Sequence, residues 1–167
     1  DIFKDDPEYG PKAAEIDSKI YEFTQFIYRV LKVVDCGAEL DAKVTVHRSC
    51  HMTRLIGERT APFVLLDHVK DIERVPLKNV QLCCGTFSAK RPELSVEMVD
   101  EKVKNIVDTD AEILIGTEES CLMNIVGRMN RLGYKIKAMH IAEVLNHNVD
   151  INRIKYIKDT DHVVVPA

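Results

Sequence analysis

The chain of 167 residues carries 46% hydrophobic residues and a net charge of -4, which suits one ordinary domain that buries a sizeable core. This composition makes disulfide staples unnecessary, and no apolar run reaches the roughly 18 to 20 residues needed to cross a bilayer, so we expect no direct membrane span. Lys and Arg are interspersed with acidic residues and form no basic stripe that would neutralise phosphates, which excludes nucleic acid as the expected partner.

The first predicted element is an amphipathic helix over residues 13–31. Its apolar residues, among them Ile16, Ile20 and Phe23, recur at steps of three and four. We expect this stripe to pack one face of the helix on the core.

Strands that deliver cysteines to loops follow along the chain. Short buried strands are predicted over residues 43–47, 80–82 and 112–115, and they lead into Cys50, into Cys83 and Cys84, and into Cys121. Helices are predicted over residues 62–69, 92–107, 121–132 and 141–145, with a fourth strand over residues 135–139. This alternation predicts an α/β fold with a mostly parallel sheet flanked by helices.

The four cysteines Cys50, Cys83, Cys84 and Cys121 are the candidate functional residues. Since the carboxyl ends of parallel strands line one edge of a sheet, loops from separate strands can bring their thiols to one centre. Adjacent cysteines can bind one centre only if the backbone bends, which Gly85 makes easy. A multi-iron cluster offers several metal corners to such a pair, and a structural zinc site remains the alternative.

Two further predictions concern the histidines near Cys50 and the location of the protein in the cell. His47 and His51 flank Cys50 and are candidate donors to cluster sulfurs, whereas Cys36 has no strand-to-loop placement and is interpreted as incidental. Five cysteines without a signal-type apolar segment predict a reducing, cytoplasmic location where thiols serve metals.

Four segments of the chain, read together, resemble the cysteine-rich CCG-domain family. These segments are VTVHRSCHMTRLIG, LCCGTFSAKRPELSVEMVDEKVKNI, GTEESCLMNIVGRMNRLG and MHIAEVL. Within the family they are most similar to the iron-sulfur subunits of bacterial L-lactate utilisation systems. They are related more distantly to the iron-sulfur subunits of glycolate oxidase and to the CCG-containing subunits of anaerobic glycerol-3-phosphate dehydrogenase and heterodisulfide reductase.

The resemblance implies a ligand set and a cofactor. The family's first ligand falls on Cys50, its paired cysteines on Cys83 and Cys84, and the last cysteine of its terminal Cys-x-x-Cys on Cys121. An iron-sulfur cluster, expected to be 4Fe-4S, would be held there. The sequence departs from the family at Glu118, which stands in place of the first cysteine of that motif, and the stretch after Gly85 is shorter than usual.

The functions implied are redox functions, with one alternative of another class. The leading expectation is an electron-transfer subunit, and so part of an oxidoreductase, in a complex that oxidises L-lactate to pyruvate or acts on a similar 2-hydroxy acid. Its partners would be iron-sulfur and flavin or quinone-linked subunits. The alternatives are thiol/disulfide redox catalysis of the heterodisulfide reductase type and a zinc-stabilised scaffold without redox activity.

The domain organisation predicted from the sequence has three parts. Residues 1–40 are interpreted as a linker and N-terminal helix, and residues 41–149 as a CCG-type cysteine-rich domain. Residues 153–167 line up with residues 102–116, so residues 150–167 are interpreted as a strand-bearing fragment that resembles part of a second CCG module.

Overall fold

A computed structural model describes residues 2–88 and 90–157 of the chain. Its centre is a four-stranded sheet in which all neighbouring strands run parallel. The strands of the described residues are β1 (Val33–Asp35), β2 (Glu39–His47), β3 (Lys70–Val75), β4 (Ile113–Gly116), β5 (Lys137–His140) and β6 (Lys155–Tyr156). The central sheet has the order β3-β2-β4-β5, while β1 and β6 form a separate antiparallel pair. The predicted α/β fold with a parallel sheet is confirmed.

Helices cover both faces of the central sheet. The helices of the described residues are α1 (Tyr9–Asp17), α2 (Phe23–Gln25), α3 (Ala61–Leu66), α4 (Pro92–Val107), α5 (Glu119–Arg131) and α6 (Ile141–Leu145). Those that pack on the sheet are α3 and α6 on one face and α4 and α5 on the other. Single turns of π-helix lie at Phe26–Val30 and His51–Ile56, and short 3-10 turns lie at Thr86–Ser88 and Ile151–Arg153. None of the helices in the described part of the chain combines the length and the apolar character that spanning a membrane requires.

Alternating residues of the central strands supply two apolar cores. Ile113 and Ile115 pack into the core that contains residues of α3 and α6, whereas Leu114 packs into the core that contains residues of α4 and α5. All four residues of β4 are buried, as expected for a strand with helices on both faces. The sheet is therefore the middle layer of three.

The strand order reverses direction between β2 and β4. From β2 the chain moves to β3 on one side, and it then crosses to β4 on the other side of β2. Loops that leave such a pair of strands diverge, and the crevice between them at the carboxyl ends is where ligands bind in open α/β sheets. His47 and Gly116 are paired at the last positions of β2 and β4, so they mark the floor of this crevice.

The predicted helix over residues 13–31 was wrong. The helix α1 ends at Asp17, and a new helix begins after Glu22, whose carboxylate accepts hydrogen bonds from the N–H groups of Thr24 and Gln25. Only the later part of the apolar stripe reaches a core: Ile27 packs against the core on the α3 and α6 face, whereas Ile16 and Ile20 are 60% and 67% exposed. Helical spacing was present, but the capping hydrogen bonds at Glu22 restart the helix in a new direction.

The predicted strand over residues 80–82 was also wrong. Those residues form a turn, and the strand that precedes the paired cysteines is β3, which ends at Val75. This strand is polar and largely exposed because it lies at an edge of the sheet, where charged residues are common. The remaining predicted strands and helices are present: α4 and α6 have the predicted bounds, and the others have shifted ends.

The predicted fragment over residues 150–167 is only partly covered. Lys155–Tyr156 forms β6 and pairs with β1, and residues 158–167 lie outside the described residues. The division into three parts stays a prediction.

Candidate metal centre

Three loops at the carboxyl edge of the sheet carry the four predicted cysteines. Cys50 follows β2 and stands immediately before the π-helical turn His51–Ile56, and Cys121 lies in the first turn of α5 after β4. Cys83 and Cys84 lie in the long loop between β3 and α4. The structure thus brings loops from neighbouring strands to the same edge, as the sequence predicted, although the middle loop leaves β3 and not a strand at residues 80–82.

The thiols form two close pairs. The Sγ atoms of Cys50 and Cys83 lie 3.9 Å apart. The Sγ atoms of Cys84 and Cys121 lie within 4.8 Å of each other and of a ring nitrogen of His47. The first separation is far longer than the roughly 2.05 Å of a disulfide bond, and all these cysteines are free thiols.

His47 is a buried group with unsatisfied hydrogen-bonding atoms. Its side chain is 1% exposed, and neither ring nitrogen has a hydrogen-bond partner among the described residues. A buried imidazole without partners is costly, so its position beside two thiols fits a role toward a bound metal or its sulfur ligands. The sequence places His47 shortly before Cys50. In the structure a nitrogen of its ring lies within 4.8 Å of the sulfurs of Cys84 and Cys121, which belong to other loops.

The protonation of the cysteines reflects their crowding. A hydrogen bond between the Cys121 and Cys84 sulfurs outweighs the opposing effect of burial and holds the pKa of Cys84 far below that of an ordinary thiol. The same hydrogen bond and burial raise the pKa of Cys121, and burial raises the pKa of Cys83. Of the close pair Cys84 and Cys121, Cys84 is therefore the thiol with the lower pKa and the one that more readily forms a thiolate. A metal cation that binds here must displace protons, so its affinity rises with pH.

Polar groups hold the paired cysteines, and of these the sequence analysis singled out only Gly85. Gly85 takes a φ of +84°, and its N–H donates to the Cys83 sulfur over 3.4 Å. The Thr86 hydroxyl lies 3.0 Å from the Cys84 sulfur, and the Asn124 side chain of α5 donates to the Cys84 carbonyl over 2.7 Å. The predicted bend at Gly85 is present, and α5 anchors it.

A fully buried lysine lies beneath the cysteine loop. Lys102 of α4 is 0% exposed, and its ammonium group donates to the carbonyl oxygens of Asn79 and Val80 over 3.3 and 3.2 Å. Burial lowers the pKa of Lys102 to about 8, although negative charge at the nearby cysteines favours the charged ammonium. Lys102 thus fixes the loop before Cys83 and carries positive charge near the thiols.

A hydrogen-bonding contact connects the loops of Cys50 and Cys121. The Nδ1 atom of His51 lies 2.7 Å from a carboxylate oxygen of Glu118, and the other carboxylate oxygen lies 3.9 Å from the Cys121 sulfur. Glu118 is the residue that stands in place of a fifth cysteine. In this protein it joins His51 and does not serve as a thiol ligand.

Cys36 lies near the start of β2, at the end of that strand opposite the thiol site. It precedes the start of β2, whereas the thiol site follows the end of that strand, and it packs against the core on the α3 and α6 face. Burial raises the pKa of its thiol, so it stays protonated. This placement agrees with its interpretation as incidental.

The set of donors fits a thiolate-bound metal or cluster. Four cysteine sulfurs, arranged as two pairs on three loops, are the ligands that iron-sulfur clusters and zinc both prefer. The helix α5 adds the positive end of its dipole at Cys121, which favours the thiolate form.

The fold and the thiol site together define a cysteine-rich α/β domain with a candidate metal centre at the switch point of its sheet. Residues 44–126 match the model of the CCG cysteine-rich domain, and this part of the chain belongs to that family. The matched range contains all four candidate cysteines together with His47, His51 and Lys102.

The chain is also similar to three proteins called Lactate utilization protein A. It is 54% identical over 151 residues to the one from Exiguobacterium sp., 53% over 148 residues to one from Bacillus cereus and 52% over 149 residues to one from Geobacillus thermodenitrificans. These alignments cover 87% to 89% of this chain but 62% of each relative, so the chain spans less than two thirds of the relatives' length.

Proposed function

We propose that this chain is an iron-sulfur electron-transfer component of a lactate utilisation system. The observation that carries the proposal is the convergence of Cys50, Cys83, Cys84 and Cys121 from three loops at the switch point of a parallel sheet. Similarity to proteins named for lactate utilisation supports the pathway, and the CCG domain supports the thiol site.

Each residue of the site has a distinct proposed task. The four cysteines would hold the cluster, which accepts and releases electrons when bound. His47 would donate a hydrogen bond toward a ligand sulfur, since both its nitrogens lack other partners in the described residues. His51, paired with Glu118, would hold the Cys50 and Cys121 loops at a fixed separation.

The polar and charged groups around the thiols would tune the site. Lys102 and the start of α5 place positive charge near the thiolates, and this favours the more negative state of a redox centre. Loop residues Gly85 and Thr86 direct polar groups at the sulfurs of Cys83 and Cys84, which limits their movement between oxidation states. The partners would be other iron-sulfur and flavin or quinone-linked subunits in the cytoplasm, and the reaction of the complex would be oxidation of L-lactate to pyruvate.

Metal analysis of two matched variants tests the proposal. The chain is purified without oxygen, and iron, sulfide and zinc are measured together with the electron paramagnetic resonance spectrum. We expect iron and sulfide in the unmodified chain, their loss in Cys84→Ser, and unchanged content in Cys36→Ser. Cys36→Ser is the control because it removes a half-buried thiol at the opposite end of β2.

Two results would contradict the proposal. One zinc per chain without iron would remove the redox function, and equal iron loss in Cys36→Ser would show that the variants act through general instability. The same measurement addresses the second candidate, a zinc-stabilised scaffold, which the grouping of His47, Cys84 and Cys121 within 4.8 Å favours.

A further inference from the structure

A cavity lies at the carboxyl ends of β2 and β3, beside the thiol site. It has a volume of about 330 Å³, and its lining residues are Val46, Arg48, Phe63, Arg74, Val75, Pro76, Leu77 and Val80. A cavity of this volume falls within the range that small-molecule sites occupy. The thiol chemistry described above uses none of these residues.

Two guanidinium groups give the cavity its charge. The guanidinium carbons of Arg48 and Arg74 lie 4.8 and 5.2 Å from the centre of the Phe63 ring, so both are stacked on one aromatic side chain. Such stacking orients the planar groups, and it leaves the N–H edge of Arg48 available to a ligand, together with the N–H groups of Arg74 that do not bond Asp67. No acidic residue is among the cavity's lining.

Arg48 is the group that most needs a partner. Its Nε atom is buried and has no hydrogen bond within residues 2–88 and 90–157, and its guanidinium forms no ion pair there. Arg74, in contrast, already pairs with Asp67 at the rim. A buried donor without an acceptor destabilises the fold, and a bound anion would remove that cost.

The walls of the cavity restrict which anion fits. Apart from the two arginines, the lining is aliphatic or aromatic, so an organic anion can bury its alkyl group against these walls, whereas inorganic phosphate has no apolar group to bury. A carboxylate accepts two parallel N–H bonds from one guanidinium, and an alkyl group beside it would contact the apolar walls. We propose that this cavity binds a small organic carboxylate.

Two of the chain segments that line the cavity lead directly to Cys50 and to Cys83, which form one thiol pair. The segment after Arg48 continues directly to Cys50, and the segment that contains Val80 continues to Cys83. The main-chain oxygen of Val80 is also held by Lys102. A carboxylate in the cavity would therefore order the two segments that position the Cys50–Cys83 pair. The binding site itself contains no cysteine, so the proposal holds whether or not the thiols carry iron.

Calorimetric titration of the 167-residue chain tests this site. Sodium propionate, sodium L-lactate and inorganic phosphate are titrated separately at pH 7 and constant ionic strength, with the metal content of each sample recorded. We expect saturable binding of the two organic acids and none of phosphate. In Arg48→Gln and in Arg74→Gln the affinity should fall about tenfold or more, which is the effect of losing a charge-assisted hydrogen bond.

The control variant is Arg131→Gln, which removes the same charge from an exposed residue in the last turn of α5. Its affinity should stay that of the unmodified chain. The proposal is overturned if neither organic acid binds saturably to the unmodified chain, if phosphate binds as tightly as propionate, or if Arg48→Gln binds propionate normally. The first two outcomes need no variant to fold, and the metal analysis above is a separate measurement.

Discussion

Gly85 bends the chain between the paired cysteines and α4. Its φ of +84° lies in the left-handed region, and a Cβ atom built there would stand 2.6 Å from the carbonyl oxygen of Ser95. The Ser95 hydroxyl in turn donates to the Gly85 carbonyl over 3.0 Å. Glycine is therefore required at this position for conformation and for space.

We expect Gly85→Ala to destabilise the protein by about 1 to 3 kcal/mol and to lower its metal content, because the bend that presents Cys83 and Cys84 would be strained. Urea denaturation measures the first effect, and metal analysis measures the second. Gly127→Ala is the matched control, since Gly127 lies within α5 and a Cβ atom there meets nothing within 4 Å. The free energy of unfolding of Gly127→Ala should rise by about 0.5 to 1 kcal/mol. Equal behaviour of the two variants would contradict the argument.

The sequence predicted some residues of the candidate site and missed others. The adjacent cysteines followed by glycine were enough to predict a bend, because two neighbouring side chains of a regular strand point apart. Lys102 was missed, although its position carried a signal. It lies between Val99 and Val103 on the apolar face of α4, where a lysine must be buried and must find acceptors.

Among the secondary-structure elements, the π-helical turn Phe26–Val30 is joined to the start of α3 by a buried acid. Burial alone would raise the pKa of Glu58, but hydrogen bonds from Arg29 and from the N–H groups of Ala61 and Thr60 outweigh it and lower the pKa to about 2. The ionised Glu58 thus stabilises the contact between these two elements.

The stability that Glu58 contributes depends on pH with a definite sign. Because its pKa falls from 4.5 when unfolded to about 2 when folded, the contribution is complete above about pH 5 and is lost as pH falls toward 2. We expect Glu58→Gln to lower the free energy of unfolding by about 2 kcal/mol at pH 7, and this deficit should shrink toward pH 3.

Chemical denaturation at pH 7 and pH 3 checks this expectation. The control is Glu97→Gln, at an exposed position of α4 that forms no ion pair in the described part of the chain. Its effect should be small at both values of pH. A Glu58→Gln deficit that is constant with pH would show that packing, and not ionisation, is what the acid provides.

The predictability of the elements followed their burial. Buried elements with regular spacing, such as β4 and α4, were predicted close to their observed bounds. The edge strand β3 was missed because only its pairing with β2, and not its own composition, makes it a strand. The helix over residues 13–31 failed because spacing alone does not say whether a partner surface exists.

For the molecule as a whole, a metal bound by the four cysteines would tie together three loops that the sheet alone leaves separate. We expect the metal-loaded chain to unfold at a temperature about 5 °C or more above that of the metal-free chain, because only the folded state offers the complete set of ligands. Differential scanning calorimetry under anaerobic conditions measures the difference. Cys36→Ser should keep this difference in unfolding temperature, and Cys84→Ser should lose it.

An equal unfolding temperature with and without metal would contradict this expectation and would place the metal outside the four-cysteine set. The similarity of the chain to longer relatives does not affect the test, because both forms have the same length. Whole-molecule architecture was the feature best predicted from sequence, since alternation of strands and helices constrains topology strongly. The reversal between β2 and β4 was not predicted, because strand order depends on contacts between distant residues.

The pairing of β2 with β4 also sets the order of events during maturation. Val44 is aligned with Ile113 in this parallel pair, so the contact closes a long segment of chain, and such non-local pairings form slowly. The loops that carry Cys50 and Cys121 reach the same edge of the sheet only after that step. Insertion of the proposed cofactor would therefore belong to a late stage of biogenesis, when the nascent polypeptide has already acquired its sheet, and an insertion apparatus would act on a folded acceptor and not on an extended chain.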